Sequence, residues 1–119
     1  DSPIIFGDGS ATRDFCYVGN VGELVVRIGK GRAGEARGVF NVASGEITSL
    51  NDLYGAVVSA LRARGVKLGF NLPEYRPWRE GDIVHSLAGI DLARNKLGFE
   101  PTVNLQAGIE RILAEQYGL

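Results

Sequence analysis

Gly38-Val39-Phe40-Asn41-Val42-Ala43-Ser44-Gly45 is followed almost at once by Thr48-Ser49-Leu50-Asn51-Asp52-Leu53-Tyr54, and the residue pattern changes between the two. Residues 38–42 are short and almost wholly apolar, the pattern of a buried strand. From Ser49 onward the period is helical. Leu50, Leu53, Tyr54, Val57 and Leu61 recur on one face. Thr48 or Ser49 caps the start, and Asp52 lies at capping-box distance from Ser49. Arg62 and Arg64 sit where the helix dipole favours cations, and Gly65 closes the helix. A strand leading into a helix points to the α/β or α+β class.

The alternation continues on both sides. Upstream, Pro3-Ile4-Ile5-Phe6 is a strand-like run that ends in a turn at Gly7-Asp8-Gly9. Phe15-Cys16-Tyr17-Val18 is a second strand candidate, rich in aromatic and β-branched residues. Val21, Leu24, Val25 and Ile28 have helical spacing, with Gly29 as the stop. Downstream, residues 70–82 carry Pro73, Pro77, Trp78 and Arg79 without a clear period and read as a long loop of the kind that is usually functional. Ile90 to Leu97 is a shorter helix ended by Gly98, with Pro101 beyond. Asn104 caps a last helix whose face is Leu105, Ile109, Ile112, Leu113 and Tyr117. The expected fold is an α/β, α+β-like chain with a small, mostly parallel sheet and about four helices. The strands are too few for a complete doubly wound sheet.

The 119 residues fit one domain, 1–119, and the 45% hydrophobic fraction suffices for a core without staples. A net charge of −1 gives no general attraction to nucleic acid or to an anionic membrane, so any anion site must be local. No apolar run approaches the roughly 18 residues of a membrane helix. The single cysteine excludes an internal disulfide and suits a reducing, cytoplasmic setting. The chain opens on Asp1-Ser2-Pro3 and contains no Met. It reads as a piece of a longer protein, with processing of a stand-alone protein as the alternative.

Two arginine clusters are the candidate site. Arg13-Asp14 follows the glycine turn, and Arg79-Glu80-Gly81-Asp82 lies in the long loop. Arginine donates two parallel hydrogen bonds to phosphate oxygens. A tight turn at Gly81 would aim Arg79 at a phosphate and Asp82 at a hydroxyl pair such as a ribose diol. The plainer reading is solvated arginines, Arg13 paired with Asp14 and Arg79 with Asp82. Arg76 is read as packing, Cys16 as buried and inert within a strand, and His85 as a hydrogen-bonder at a helix entry. Gly29-Lys30-Gly31-Arg32-Ala33-Gly34 matches G-x-G-x-x-G, but after a helix and before a strand. It is taken as a flexible basic surface loop to which no cofactor is assigned. No spacing suggests a metal site or a nucleophilic triad.

The order of motifs carries a resemblance. Ile5-Phe6-Gly7-Asp8-Gly9, Arg13-Asp14-Phe15-Cys16-Tyr17-Val18, Val39-Phe40-Asn41-Val42-Ala43-Ser44-Gly45, Arg79-Glu80-Gly81-Asp82-Ile83-Val84-His85-Ser86 and Leu97-Gly98-Phe99-Glu100-Pro101 follow one another as they do in the C-terminal part of extended short-chain dehydrogenase/reductases acting on nucleotide sugars. Within them the chain most resembles the UDP-N-acetylglucosamine branch of the UDP-hexose 4-epimerases. The resemblance implies an NAD-dependent parent with an N-terminal Rossmann domain, absent here, and a UDP-sugar partner (UDP-GlcNAc/UDP-GalNAc or UDP-Glc/UDP-Gal). It implies that Arg13 and Arg79 hold the diphosphate, that Asp82 contacts the ribose and that Ile5-Phe6 lines the uracil site. It also gives Ser86 a place where a small side chain leaves room for an N-acetyl group. Family members often dimerise, which makes a homodimeric parent the expectation.

The family's Tyr-x-x-x-Lys pair has no counterpart, since none of Tyr17, Tyr54, Tyr75 and Tyr117 has Lys four positions on. The chain alone should therefore be inert in hydride chemistry. A dehydratase or decarboxylase parent and a stand-alone nucleotide-binding module are the alternative readings. A third is a structural domain whose arginines are merely solvated.

Overall fold

Helix formation follows the caps and apolar faces of the sequence, while the strands are held mainly by contacts distant in the chain. The computed structural model describes residues 2–34 and 37–119. The elements run β1 (Ile4–Phe6), β2 (Thr12–Arg13), α1 (Val18–Gly29), β3 (Thr48–Ser49), α2 (Leu50–Ala63), β4 (Glu74–Arg76), α3 (Asp91–Leu97) and α4 (Leu105–Tyr117). Ser49 caps α2: its Oγ accepts from the Asp52 N–H at 3.0 Å and donates to the Asp52 carboxylate at 2.6 Å. The Asn104 side chain accepts from the Ala107 N–H at 2.9 Å and starts α4. Gly98, at φ +59°, takes the left-handed conformation that ends α3.

β1 and β4 pair in parallel with Ile5 opposite Tyr75, and β2 and β3 pair antiparallel with Thr12 opposite Ser49. A further parallel bridge joins Thr12 to His85. Parallel pairings thus outnumber the antiparallel one, and with four helices this is the expected α/β fragment.

Two apolar clusters hold the elements. The first gathers Leu24 of α1, Ala93 and Leu97 of α3, Ala33, Ala43, Ile90 and Phe99. The second packs Ala60 of α2 against Ile109 and Leu113 of α4. Asn20 ties α1 to the chain before α4. Its Nδ2 donates to the Val103 carbonyl at 2.8 Å, and its Oδ1 accepts from the Val103 N–H at 3.1 Å, both buried. Arg64 closes the second cluster by donating to the Ala60 carbonyl in its own helix and to the Glu110 carbonyl in α4.

Three segments differ from the sequence expectation. Residues 15–17 are not a strand; Tyr17 stands at the N-cap of α1, which starts three residues earlier than its apolar spacing suggests. Residues 38–42 form no ladder: Phe40 and Val42 pack on the first cluster, while Val39 is 90% exposed. The apolar pattern is real, but among the described residues no strand pairs with it. Residues 70–82 are not all loop, because Glu74–Arg76 pairs with β1. The glycine-rich stretch keeps Lys30 and Arg32 exposed, as a basic surface loop does, but it is anchored rather than loose. Ala33 is buried in the first cluster, and a Cβ on Gly34 would come within 2.4 Å of the Lys96 carbonyl oxygen. No helix among the described residues is long and apolar enough to cross a membrane.

Candidate functional site

The two strand pairs end beside each other, and their ends build one cavity. Beyond Phe6 the Gly7 N–H donates to the Arg76 carbonyl at 2.8 Å, carrying the β1–β4 ladder one residue further. The Trp78 indole then lies against Gly7. A Cβ there would meet the indole at 2.4 Å, and the φ of +83° is itself a glycine conformation. On the other side, the Thr12 N–H donates to the Val84 carbonyl at 2.8 Å and the Ser86 N–H donates to the Thr12 carbonyl at 3.1 Å. These bonds fix the loop after Asp82 next to β2.

The cavity so formed has a volume of about 180 Å³. Phe6, Arg13, Arg79 and Asp82 all line it, with Ile4, Ala11, Leu50 and Trp78 completing the wall. Residues 66 positions apart in the sequence, Arg13 and Arg79, therefore face one space. Two guanidinium groups against one carboxylate leave a formal charge of +1 there, on a chain of net charge −1. The cavity is thus locally cationic on a chain whose overall charge gives no general attraction to anions.

Each charged group is oriented. The Arg79 guanidinium lies over the Phe6 ring, 4.4 Å from its centroid. Its Nε and Nη2 face the Asp82 carboxylate at 3.3 and 3.4 Å, long for charge-assisted bonds. The plainer reading of an internal Arg79–Asp82 pair is thus met, and it coexists with the cavity. Half-buried Arg13 donates from Nη1 to the Thr12 carbonyl at 2.8 Å and to the Val84 carbonyl at 3.4 Å. It forms no pair with Asp14. Instead the Asp14 carboxylate accepts from the Ser44 and Gly45 N–H groups at 2.7 and 2.9 Å and from the Ser44 hydroxyl. Asp14 so straps the 43–46 turn to the chain just after Arg13.

The remaining sequence candidates lie elsewhere. Ile5 is buried, and its neighbours Ile4 and Phe6 face the cavity instead, as strand alternation requires. Ser86 is exposed, next to the Thr12–His85 bridge, and is not among the cavity-lining residues. His85 is not at a helix entry; its Nδ1 hydrogen-bonds the Thr12 hydroxyl at 3.0 Å. Arg76 is not packed inside but forms an exposed pair with Glu74 at 2.8 Å, which holds the Glu74 carboxyl below its usual range. Cys16 is half-buried rather than buried, lies in no strand, and borders an apolar groove with Tyr17, Leu53 and Leu105; burial pushes its thiol pKa up.

Gly29–Gly34 follows α1, and no helix begins among the described residues between it and Leu50. That is not the strand-to-helix setting of a dinucleotide loop, so these residues do not fit a nicotinamide dinucleotide. Ile4 and Trp78 are the lining residues that sequence reasoning missed. Period-two alternation from Phe6 was signal enough for Ile4; nothing local pointed to Trp78.

No family model matches the chain. Over 107 residues it is 39% identical to the UDP-glucose 4-epimerase of Mycolicibacterium smegmatis, covering 90% of this chain and 32% of that protein. It is 34% identical to a putative UDP-glucose 4-epimerase of Methanocaldococcus jannaschii, covering 94% of this chain and 33% of the relative. Among solved structures, the UDP-glucose 4-epimerase of Thermotoga maritima with UDP-glucose aligns at a TM-score of 0.74 and 31% identity over 92% of this chain and 33% of its own. The UDP-N-acetylglucosamine 4-epimerase of Methanobrevibacter ruminantium in complex with UDP-N-acetylmuramic acid gives 0.74 and 30%, over 92% of this chain and 34% of its own. The chain spans about a third of the length of the curated relatives it matches.

Proposed function

We propose, from the premise that this chain is a homologue of the C-terminal part of the UDP-sugar 4-epimerases, that residues 1–119 form the nucleotide-sugar-binding unit of an NAD-dependent UDP-hexose 4-epimerase. The observation that carries this reading is the meeting of Arg13, Arg79, Asp82 and Phe6 at one cavity. Arg13 and Arg79 supply the donors for a diphosphate, and Asp82 supplies an acceptor for a ribose diol. Ser86 lies outside the cavity, so its small side chain would leave room for an N-acetyl group only where the sugar extends past the cavity along the Thr12 edge. The sugar C4 end would point away toward the Rossmann portion of such an enzyme.

The hydride chemistry at C4 would be supplied by NAD held in that Rossmann portion, not by residues 1–119. The residues of this chain contribute grip and orientation, because none of its tyrosines has the lysine partner needed to move the C4 proton. The whole enzyme is proposed to be cytoplasmic, consistent with a single half-buried cysteine, and to be a homodimer.

Titration with UDP, followed by calorimetry or NMR, tests the reading. Binding is expected to be weak, with shifts localised to the cavity residues, Phe6, Arg13 and Arg79 among them. Arg79→Ala should weaken it by roughly 10- to 100-fold, the worth of hydrogen bonds to a charged group. Absence of any shift at millimolar UDP, or an Arg79→Ala protein that binds as before, would overturn it.

A further inference from the structure

Trp78 is the chain's single tryptophan, and it forms the cavity wall beside Phe6 and Arg79. Its indole is seated on Gly7, so closely that a Cβ on that residue would come within 2.4 Å of the ring. The seat is firm because the Gly7 N–H is itself bonded to the Arg76 carbonyl, two residues before the indole. Yet Trp78 remains 43% exposed. A large ring packed against backbone and still partly open to solvent is a preorganised stacking surface. Phe6, the other ring at the cavity, already carries the Arg79 guanidinium on one face, and Asp82 pairs with that guanidinium. The open aromatic area beside the anion-binding arginines therefore belongs to Trp78.

We infer that Trp78 is the stacking residue for the base of a nucleoside diphosphate, and so a determinant of nucleotide affinity. Arg13 and Arg79 take the diphosphate, and the base ring lies against the exposed part of the indole. The inference rests on the reading of the cavity as a nucleotide-sugar site. It assigns the base contact to a residue outside the family motifs quoted above.

The test separates base from phosphate by titrating UDP and inorganic pyrophosphate side by side. Because Trp78 is the single tryptophan, its fluorescence reports the site directly. UDP should quench it and should bind more tightly than pyrophosphate. Trp78→Leu should weaken UDP about tenfold, the worth of one base–aromatic stack, and leave pyrophosphate binding unchanged. Trp78→Phe should recover most of the UDP affinity.

Three results would overturn the inference. UDP binding no more tightly than pyrophosphate to the unaltered chain sinks the stacking role while sparing the anion site. Full UDP affinity in Trp78→Leu is the second. Loss of both ligands in proportion is the third, and makes the indole a wall and no more; the comparison on the unaltered chain decides this if the variant fails to fold. If neither ligand binds the unaltered chain, the site reading and the inference fall together.

Discussion

A single hydrogen atom decides whether Trp78 can take its place. Gly7→Ala would drive a methyl group into the indole and force a side chain into φ +83°. We expect a loss of about 1–3 kcal/mol in chemical denaturation, from backbone strain together with overpacking. Displacement of the indole should also change tryptophan fluorescence in the folded protein. Asp14 acts at the same scale but through charge. It accepts the N–H groups of Ser44 and Gly45, so Asp14→Asn removes a charged acceptor and cannot keep every bond it made. Denaturation should show a loss of about 1–2 kcal/mol. The thiol of Cys16 supplies a pH-dependent readout. Burial raises its pKa, so less thiolate is present near neutral pH than in a free cysteine. Iodoacetamide should label it more slowly than it labels glutathione, with the rate still rising at a pH where glutathione has levelled off. Equal rates at neutral pH, followed by mass spectrometry, would contradict the burial.

At the scale of elements, the helices were legible because their signals are local. Ser49 with Asp52, Asn104 with Ala107 and Gly98 each act within one turn, and each makes the contact its position in the sequence predicts. The strands were less legible because a strand of two or three residues is defined by a distant partner. Glu74-Tyr75-Arg76 has no apolar run to announce it, and it is a strand only because β1 lies alongside. Residues 38–42 have the run without the partner. The same contrast holds at the site. Arg13, Arg79 and Asp82 could be picked out by residue type, but that they share a cavity depends on the Thr12 to Val84–Ser86 pairing, which no local pattern encodes. Asn20 is the element-scale test. It is the buried link between α1 and Val103, and Asn20→Ala would leave both the N–H and the C=O of Val103 without their partner. A loss of about 2–3 kcal/mol is expected, measured by chemical denaturation. A loss below about 0.5 kcal/mol, the level of an ordinary surface change, would mean that the link does not hold these elements together.

The whole molecule is thinner than its length predicts. A compact chain of this size has a radius of gyration of roughly 13–14 Å, whereas this one has 16.9 Å and extents of 49 × 37 × 16 Å. The shortest extent is about a third of the longest, and stable domains bury apolar faces between two layers. The consequence is visible on α1 and after it: Val18 is 71% exposed, Val25 61%, Val26 53% and Val39 90%. The matched relatives are about three times as long as the part this chain spans, so they have chain enough for a second layer. Alone in water, this chain must leave that apolar area exposed or cover it with another copy of itself. We expect association that grows with concentration, seen as a rising sedimentation coefficient over a dilution series, together with binding of an apolar dye. A Val25→Glu, Val26→Lys double change should reduce both while leaving the helical circular dichroism intact, because both residues are on the exposed side of α1 and outside the two core clusters. A chain that stays monomeric at high concentration and binds no dye would mean that this face is tolerated in solvent, and that no further layer is needed for solubility.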